Sequence, residues 1–236
     1  MIRKAYPIQI KEVVDSKTKA RVQIFVAEAG DDQVFYYHGH SITADNRFLI
    51  FWSSVSGSYQ IHAIDLTASK PESIQLTEAA AFNSDQPTVD RIRNVIYYAQ
   101  GDQIMMLNMD TGDSDWIFEK PKGCEFTSFA SDGKHLLFSY YEPISNPRIK
   151  PKASGVKFAM RNALYGHPRS FIFAIDAETL NADHVYGELA YLGHVHPIYG
   201  HPDFCCYANQ SLPRRQQELH VVPIAFTEAK TPLQLF

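Results

Sequence analysis

The chain has 236 residues, 45% of them hydrophobic and 20% charged, with a formal net charge of −4. That balance supports a buried core, and its slight acidity excludes the global positive field of a nucleic-acid or membrane-surface binder. Aromatic residues reach 13%, with Tyr and Phe far ahead of Trp, a bias towards strands.

The opening "MIRKAYPIQIKEVVDS" lacks the apolar run of a secretory leader. No stretch approaches the roughly 20 apolar residues of a membrane-spanning helix. Three cysteines, Cys124, Cys205 and Cys206, make an odd number with two adjacent, which is no disulfide framework. A reducing cytoplasm is therefore expected. Neighbouring strand residues face opposite ways, so Cys205 and Cys206 read as small buried hydrophobes.

In chain order, "ARVQIFVAEAGDDQVFY" (20–36) predicts the outer strands of a preceding β-unit. His38 and His40 then flank a glycine just before the first apolar strand. From there the chain repeats itself. "ITADNRFLIFWSS" (42–54), "TVDRIRNVIYYAQ" (88–100) and "FASDGKHLLFSYY" (129–141) each carry a polar turn around Asp45, Asp90 or Asp132, followed by a β-rich run. A second strand follows in each, "QIHAIDL" (60–66), "QIMMLNMDTGD" (103–113) and "FIFAIDAETL" (171–180). The first two continue into a third strand, "SIQLTE" (73–78) and "DSDWIFE" (113–119). Ile61 and Ile104 are 43 residues apart, and Asp45 and Asp90 are 45 apart. Such a period matches a four-stranded propeller blade, for which roughly 40–50 residues is usual. "FLIFW" and "LLFSYY" are too continuously apolar for a sheet wet on one face, and predict inner strands buried between neighbouring blades.

The third unit is interrupted by "EPISNPRIKPKASGVKFAMRNALYGHPRS" (142–170). Between Pro143 and Ser170 stand six Lys and Arg residues and no Asp or Glu. This loop predicts a local positive field that would concentrate an anionic ligand at the mouth of the propeller, or else a solvated loop. The fourth unit opens at "LAYLGHVHPIYG", runs through "DFCCYA" and pairs with "ELHVVPIAF" (218–226). On an extended segment His194 and His196 project to one face and can bite a single cation. A rim contact to substrate and a hydrogen-bonded structural role remain open for the same pair. His201 falls where the other units carry their turn Asp, which predicts a turn role. No phosphate loop, Cys-x-x-Cys pair or Gly-x-Ser-x-Gly elbow is present.

The expectation is an all-β fold, a β-propeller of about four blades over residues 1–236. A half-ring would leave exposed sheet edges. The blades therefore close on themselves, a second chain completes them, or the sequence is the front part of a longer protein, the last being favoured.

Four segments carry a family resemblance: "YYHGHSITADNRFLIF", "QIMMLNMDTGDSDWIF", "KFAMRNALYGHPRSFIFAIDAETL" and "YLGHVHPIYG". Together they resemble the oligogalacturonate lyases, a polysaccharide lyase family on a seven-bladed, TolB-like propeller, in its N-terminal part. The resemblance implies cleavage of short α-1,4-linked galacturonides by metal-assisted β-elimination, in cytoplasmic pectin breakdown. It implies a manganese-type divalent ion held by histidines and a glutamine, and a histidine base aided by an arginine. The base and most of the metal cage would lie beyond the matched stretch. Within it, His40 occupies a place often basic in the family, expected to contact a substrate carboxylate. Arg161 and Arg169, with His167 beside them, would grip a uronate through the planar guanidinium fork. His194 and His196 are the metal candidates. The expected partner is an acidic oligosaccharide, not a nucleic acid or a membrane. The alternative is a non-catalytic propeller that binds an acidic sugar or a protein.

Overall fold

The structure is a computed structural model that describes residues 4–35, 39–78, 87–144, 164–211, 218–224 and 233–235. Within these residues the chain is almost entirely β, arranged as four antiparallel sheets that fan about a common axis. No helix of the described residues is long and apolar enough to cross a membrane.

The first sheet runs outwards from β3 (Asp32–Val34) through β4 (Phe48–Ser53) and β5 (Gln60–Asp65) to β6 (Glu72–Gln75). Its outer edge is extended by β1 (Ala5–Val14) and β2 (Arg21–Ala27). The second sheet is β7 (Thr88–Asp90), β8 (Val95–Gln100), β9 (Gln103–Asn108) and β10 (Ser114–Glu119). The third is β11 (Glu125–Ser131), β12 (His135–Tyr141), β13 (Arg169–Asp176) and β14 (Ala182–Leu189). The fourth is β15 (Leu192–Ile198), β16 (His201–Asn209), β17 (Glu218–Pro223) and β18 (Leu233–Leu235).

Two sequence expectations are corrected here. Residues 20–36 do not belong to a preceding blade. Arg21–Ala27 pairs with β1 on the outside of the first sheet, while Asp32–Val34 is that sheet's innermost strand. The apolar runs "FLIFW" and "LLFSYY" are second strands, because each blade has a further strand nearer the axis. Those inner strands escape a hydrophobicity reading for a physical reason. Strands β3 and β7 are only three residues long and β11 is rich in Ser and Thr, while β7 and most of β11 owe their burial to neighbouring blades. Strand β12 illustrates the second position, with all seven residues buried.

Burial on both faces follows from blade stacking. In the second sheet Ile96, Tyr98 and Leu107 pack towards the first blade with Ile50 and Ile61. Their neighbours Val95, Tyr97 and Ile104 pack towards the third with Phe126 and Phe138. A third cluster joins Leu137 and Ile172 to Val195, Cys205 and Tyr207 across the last seam. Each large side chain so buried contributes about 1.5–3 kcal/mol. Cys205 is fully buried and Cys206 half-buried, as opposite faces of one strand require.

The repeated Asp is the turn chemistry that follows the inner strand in the first three blades. Asp45 Oδ1 accepts the Thr43 hydroxyl and the Arg47 N–H. Asp90 Oδ1 accepts the N–H groups of Ile92 and Arg93, and Asp132 Oδ1 those of Lys134 and His135. A second set, Asp65, Asn108 and Asp176, does the same between the third and fourth strands.

Side chains and backbone lock the inner strands together in parallel. Thr127 Oγ1 donates to Leu192 O at 3.1 Å, and Val195 N to Ser128 Oγ at 3.1 Å. Ser131 Oγ donates to Asp90 Oδ2 at 2.8 Å, and Val89 N to His40 O at 3.2 Å. All inner strands therefore start at one end of the axis and finish at the other, about 20 Å apart at some 3.3 Å per residue. The 142–170 connection, between β12 and β13, opens at the starting end.

Candidate functional site

The candidate side chains lie on the innermost segments of the first and fourth blades. His40 arrives from the first blade. Residues 41–43 lie along the edge of β4, where Ile50 N donates to Ser41 O and Thr43 N to Phe48 O. His40 stands just before that segment.

His194 and His196 arrive from the fourth blade. Sequence reading takes this segment as plainly extended, but the ladder slips between Gly193 and His196, and His194 adopts a φ of 52°. A bulge of this kind re-aims a side chain, and His is among the residues that tolerate the left-handed region. The alternation survives it. Val195 is fully buried against the third blade, while His194 and His196 are both half-buried on the other side. The β15–β16 turn follows, with Gly200 at a φ of 82°. It leaves Tyr199 70% exposed, and Tyr199 Oη lies 3.1 Å from His40 Nε2.

Two residues of this group, Tyr199 and Arg91, were not singled out by the sequence. Arg91 follows Asp90 at the finish of β7 and sends Nη2 to Ala44 O at 3.4 Å, so its side chain lies along the first blade's 40–44 segment. Only one signal pointed to it: the turn Asp of the repeat is followed here by two arginines, Arg91 and Arg93.

Electrostatics keep the imidazoles uncharged near neutrality. Burial pushes the His40 pKa below its ordinary value and the Arg91 charge adds to this, with Asp90 opposing. Burial lowers His194. His196 is lowered by burial and then by His194 and His40, so it lies within the reach of both imidazoles. A neutral imidazole can accept a proton or donate a lone pair.

The described insertion residues, Arg169 and His167, lie elsewhere. Arg169 opens β13 at the starting end, exposed, with its guanidinium 3.7 Å from the Glu142 carboxylate. Arg169 is thus matched by the acid that immediately precedes the loop, while the other five cations of the loop lie outside the described residues. His167 is exposed after a helical turn at 164–166, with a φ of 49° that fits a turn position. Arg161 lies outside the described residues, as does His38. The structure therefore brings His40, His194 and His196 together, and places Arg169 at the opposite end of the inner strands from Tyr199.

The imidazoles do not make a complete metal cage. Among the described residues no group of three or more His, Cys, Asp or Glu side chains could hold a metal ion. His194 and His196 stand on one strand, and His40 directs Nε2 at Tyr199.

No protein-family model matches the chain, and no curated protein matches it. Solved structures do. The oligogalacturonate lyase of Vibrio parahaemolyticus superposes with a TM-score of 0.74 at 16% identity, over 96% of this chain and 60% of that one. An oligogalacturonate lyase in complex with manganese gives 0.77 at 15% identity, over 98% and 60%. TolB from Acinetobacter baumannii gives 0.54 at 12% identity, over 98% and 52%. The chain thus spans about 60% of the length of the two lyases. At such identities the likeness establishes the fold, a β-propeller of the kind seen in oligogalacturonate lyases and TolB.

Proposed function

We propose that this propeller is oligogalacturonate-lyase-like and binds short galacturonides along its axis. The observation that carries the reading is the 3.1 Å approach of His40 Nε2 to Tyr199 Oη, which joins the first and fourth blades beside His194 and His196. Imidazoles held neutral are suited to an acidic sugar. They hydrogen-bond its hydroxyls without adding charge, and any of them can remove a proton.

The reaction we assign to the site is β-elimination. A base takes the proton on the carbon α to the uronate carboxylate, the C4–O bond to the leaving sugar breaks as the C4–C5 double bond forms, and the departing oxygen takes a proton from the protonated base or from water. The proton is weakly acidic, so the enolate-like intermediate needs positive charge at the carboxylate. Here His40 or His196 would be the proton acceptor. One related structure is a manganese complex, but the described donors of this chain do not fit such an ion, so no step is routed through a metal.

That misfit favours a second reading, in which the propeller binds an acidic sugar without cleaving it. Digalacturonate with and without manganese separates the two, following the ultraviolet absorbance of the unsaturated product. A rise above blank supports the lyase. A flat trace with calorimetric binding supports the non-catalytic reading, and a flat trace without binding removes both.

A further inference from the structure

We infer that the end of the axis at which the inner strands finish is an anion site, in which Arg91, flanked by His40 and Tyr199, takes a carboxylate. This deepens the acidic-sugar reading by naming the group that grips the charge. It also places that group at the opposite end of the inner strands from Arg169.

Arg91 differs from the cations at the same turn of the other blades. In the first blade Arg47 places Nε and Nη2 at 3.0 and 2.8 Å from Asp65 Oδ2, so its charge is matched. In the third, Lys134 stands 3.7 Å from Asp203. The second blade alone carries two arginines there, and among the described residues neither has a carboxylate within ion-pair distance. Arg93 Nε is held by Gly133 O at 2.9 Å. Arg91 has only a long 3.4 Å contact to Ala44 O and remains exposed.

The adjacent carboxylate does not neutralise it. Asp90 is 1% exposed, and its oxygens are taken by the N–H groups of Ile92 and Arg93 and by the Ser131 hydroxyl. Its acceptors thus point into the protein, leaving the guanidinium fork of Arg91 open for a planar bidentate partner. The surrounding geometry suits a sugar acid more than a bare ion. Val89 N anchors His40 O at 3.2 Å, and His40 Nε2 and Tyr199 Oη sit together at 3.1 Å. A guanidinium whose charge reaches the His40 imidazole, which in turn meets the Tyr199 phenol, offers one charged contact and two neutral hydrogen-bonding groups, the pattern of a uronate with its ring hydroxyls.

The test is calorimetry on the whole chain with digalacturonate, uncharged galactobiose and succinate as probes. Arg91→Ala should weaken digalacturonate at least tenfold, since hydrogen bonds to charged groups are of that size or larger. Arg91→Lys should recover part of the loss, because it keeps the charge without the fork. Arg169→Ala should stay within twofold. Binding of digalacturonate by Arg91→Ala within twofold of wild type, with an unchanged circular dichroism spectrum, overturns the inference and leaves the acidic-sugar reading standing. If wild type binds succinate through Arg91 but not digalacturonate, the anion site stands and the sugar reading falls. Binding of neither anion overturns both.

Discussion

Tyr207 and His220 stack face to face with ring centroids 5.1 Å apart and planes within 10°, directly opposite each other on β16 and β17. The pair shows how this fold handles polar aromatics. It buries them inside a blade seam by stacking, whereas His40, His194 and His196 are left half-buried. The distinction decides which histidines can meet a ligand.

His40 should report on Arg91. The guanidinium holds the imidazole pKa down, so Arg91→Gln is expected to raise it. Titration of the His40 ring protons by NMR in both proteins checks the direction. An unchanged or lowered midpoint would place Arg91 away from the imidazole.

Acid should destabilise the fold from below about pH 6.5, the ordinary histidine value. His62 is fully buried, and burial holds its pKa at about 4. Between those two values the unfolded chain binds the proton and the native one does not, so stability falls as pH falls. His62 would account for about 2 kcal/mol of that loss, and His40, His194 and His196 act in the same direction. Urea unfolding at pH 7 and pH 4.5 measures the loss, and His62→Gln should flatten it, since the Nδ1 contact to Ser73 can be kept by an amide.

Phe138→Ala should cost about 3–5 kcal/mol. The ring is fully buried and lies within 4.8 to 6.3 Å, centroid to centroid, of Phe118, Phe126, Phe129 and Phe173. Its loss opens a cavity in the seam between the second and third blades. Guanidinium unfolding gives the magnitude, and a cost below 1 kcal/mol would mean that the seam collapses freely.

Asp90→Ala should cost more than Asp45→Ala, by about 1–2 kcal/mol. Both lose a turn, but only Asp90 also accepts the Ser131 hydroxyl across the seam, and it is buried. Thermal unfolding of the two variants side by side ranks them.

Much of the fold was legible because it repeats. Asp45, Asp90 and Asp132 recur since each must accept two donors at the same turn, and that local demand writes itself into the sequence at a blade's period. The apolar runs after them were equally readable, although their place in the blade was not. "TVD" is three residues long, and its burial comes from neighbouring blades that a local reading does not see. The site was less legible for the same reason. His194 and His196 drew attention by their spacing, but their companions did not. Tyr199 is an ordinary turn tyrosine until His40, 159 residues away, is brought to it.

Local chemistry therefore belongs to the sequence: strand composition, turn acids, the blade period and the two-residue spacing of the histidines are short-range and recur in order. Tertiary structure alone decided which cations stay unmatched and which imidazoles share a field, because charge acts through space. Glu142 answers Arg169 while nothing described answers Arg91, and that difference arises only when the blades close around their axis.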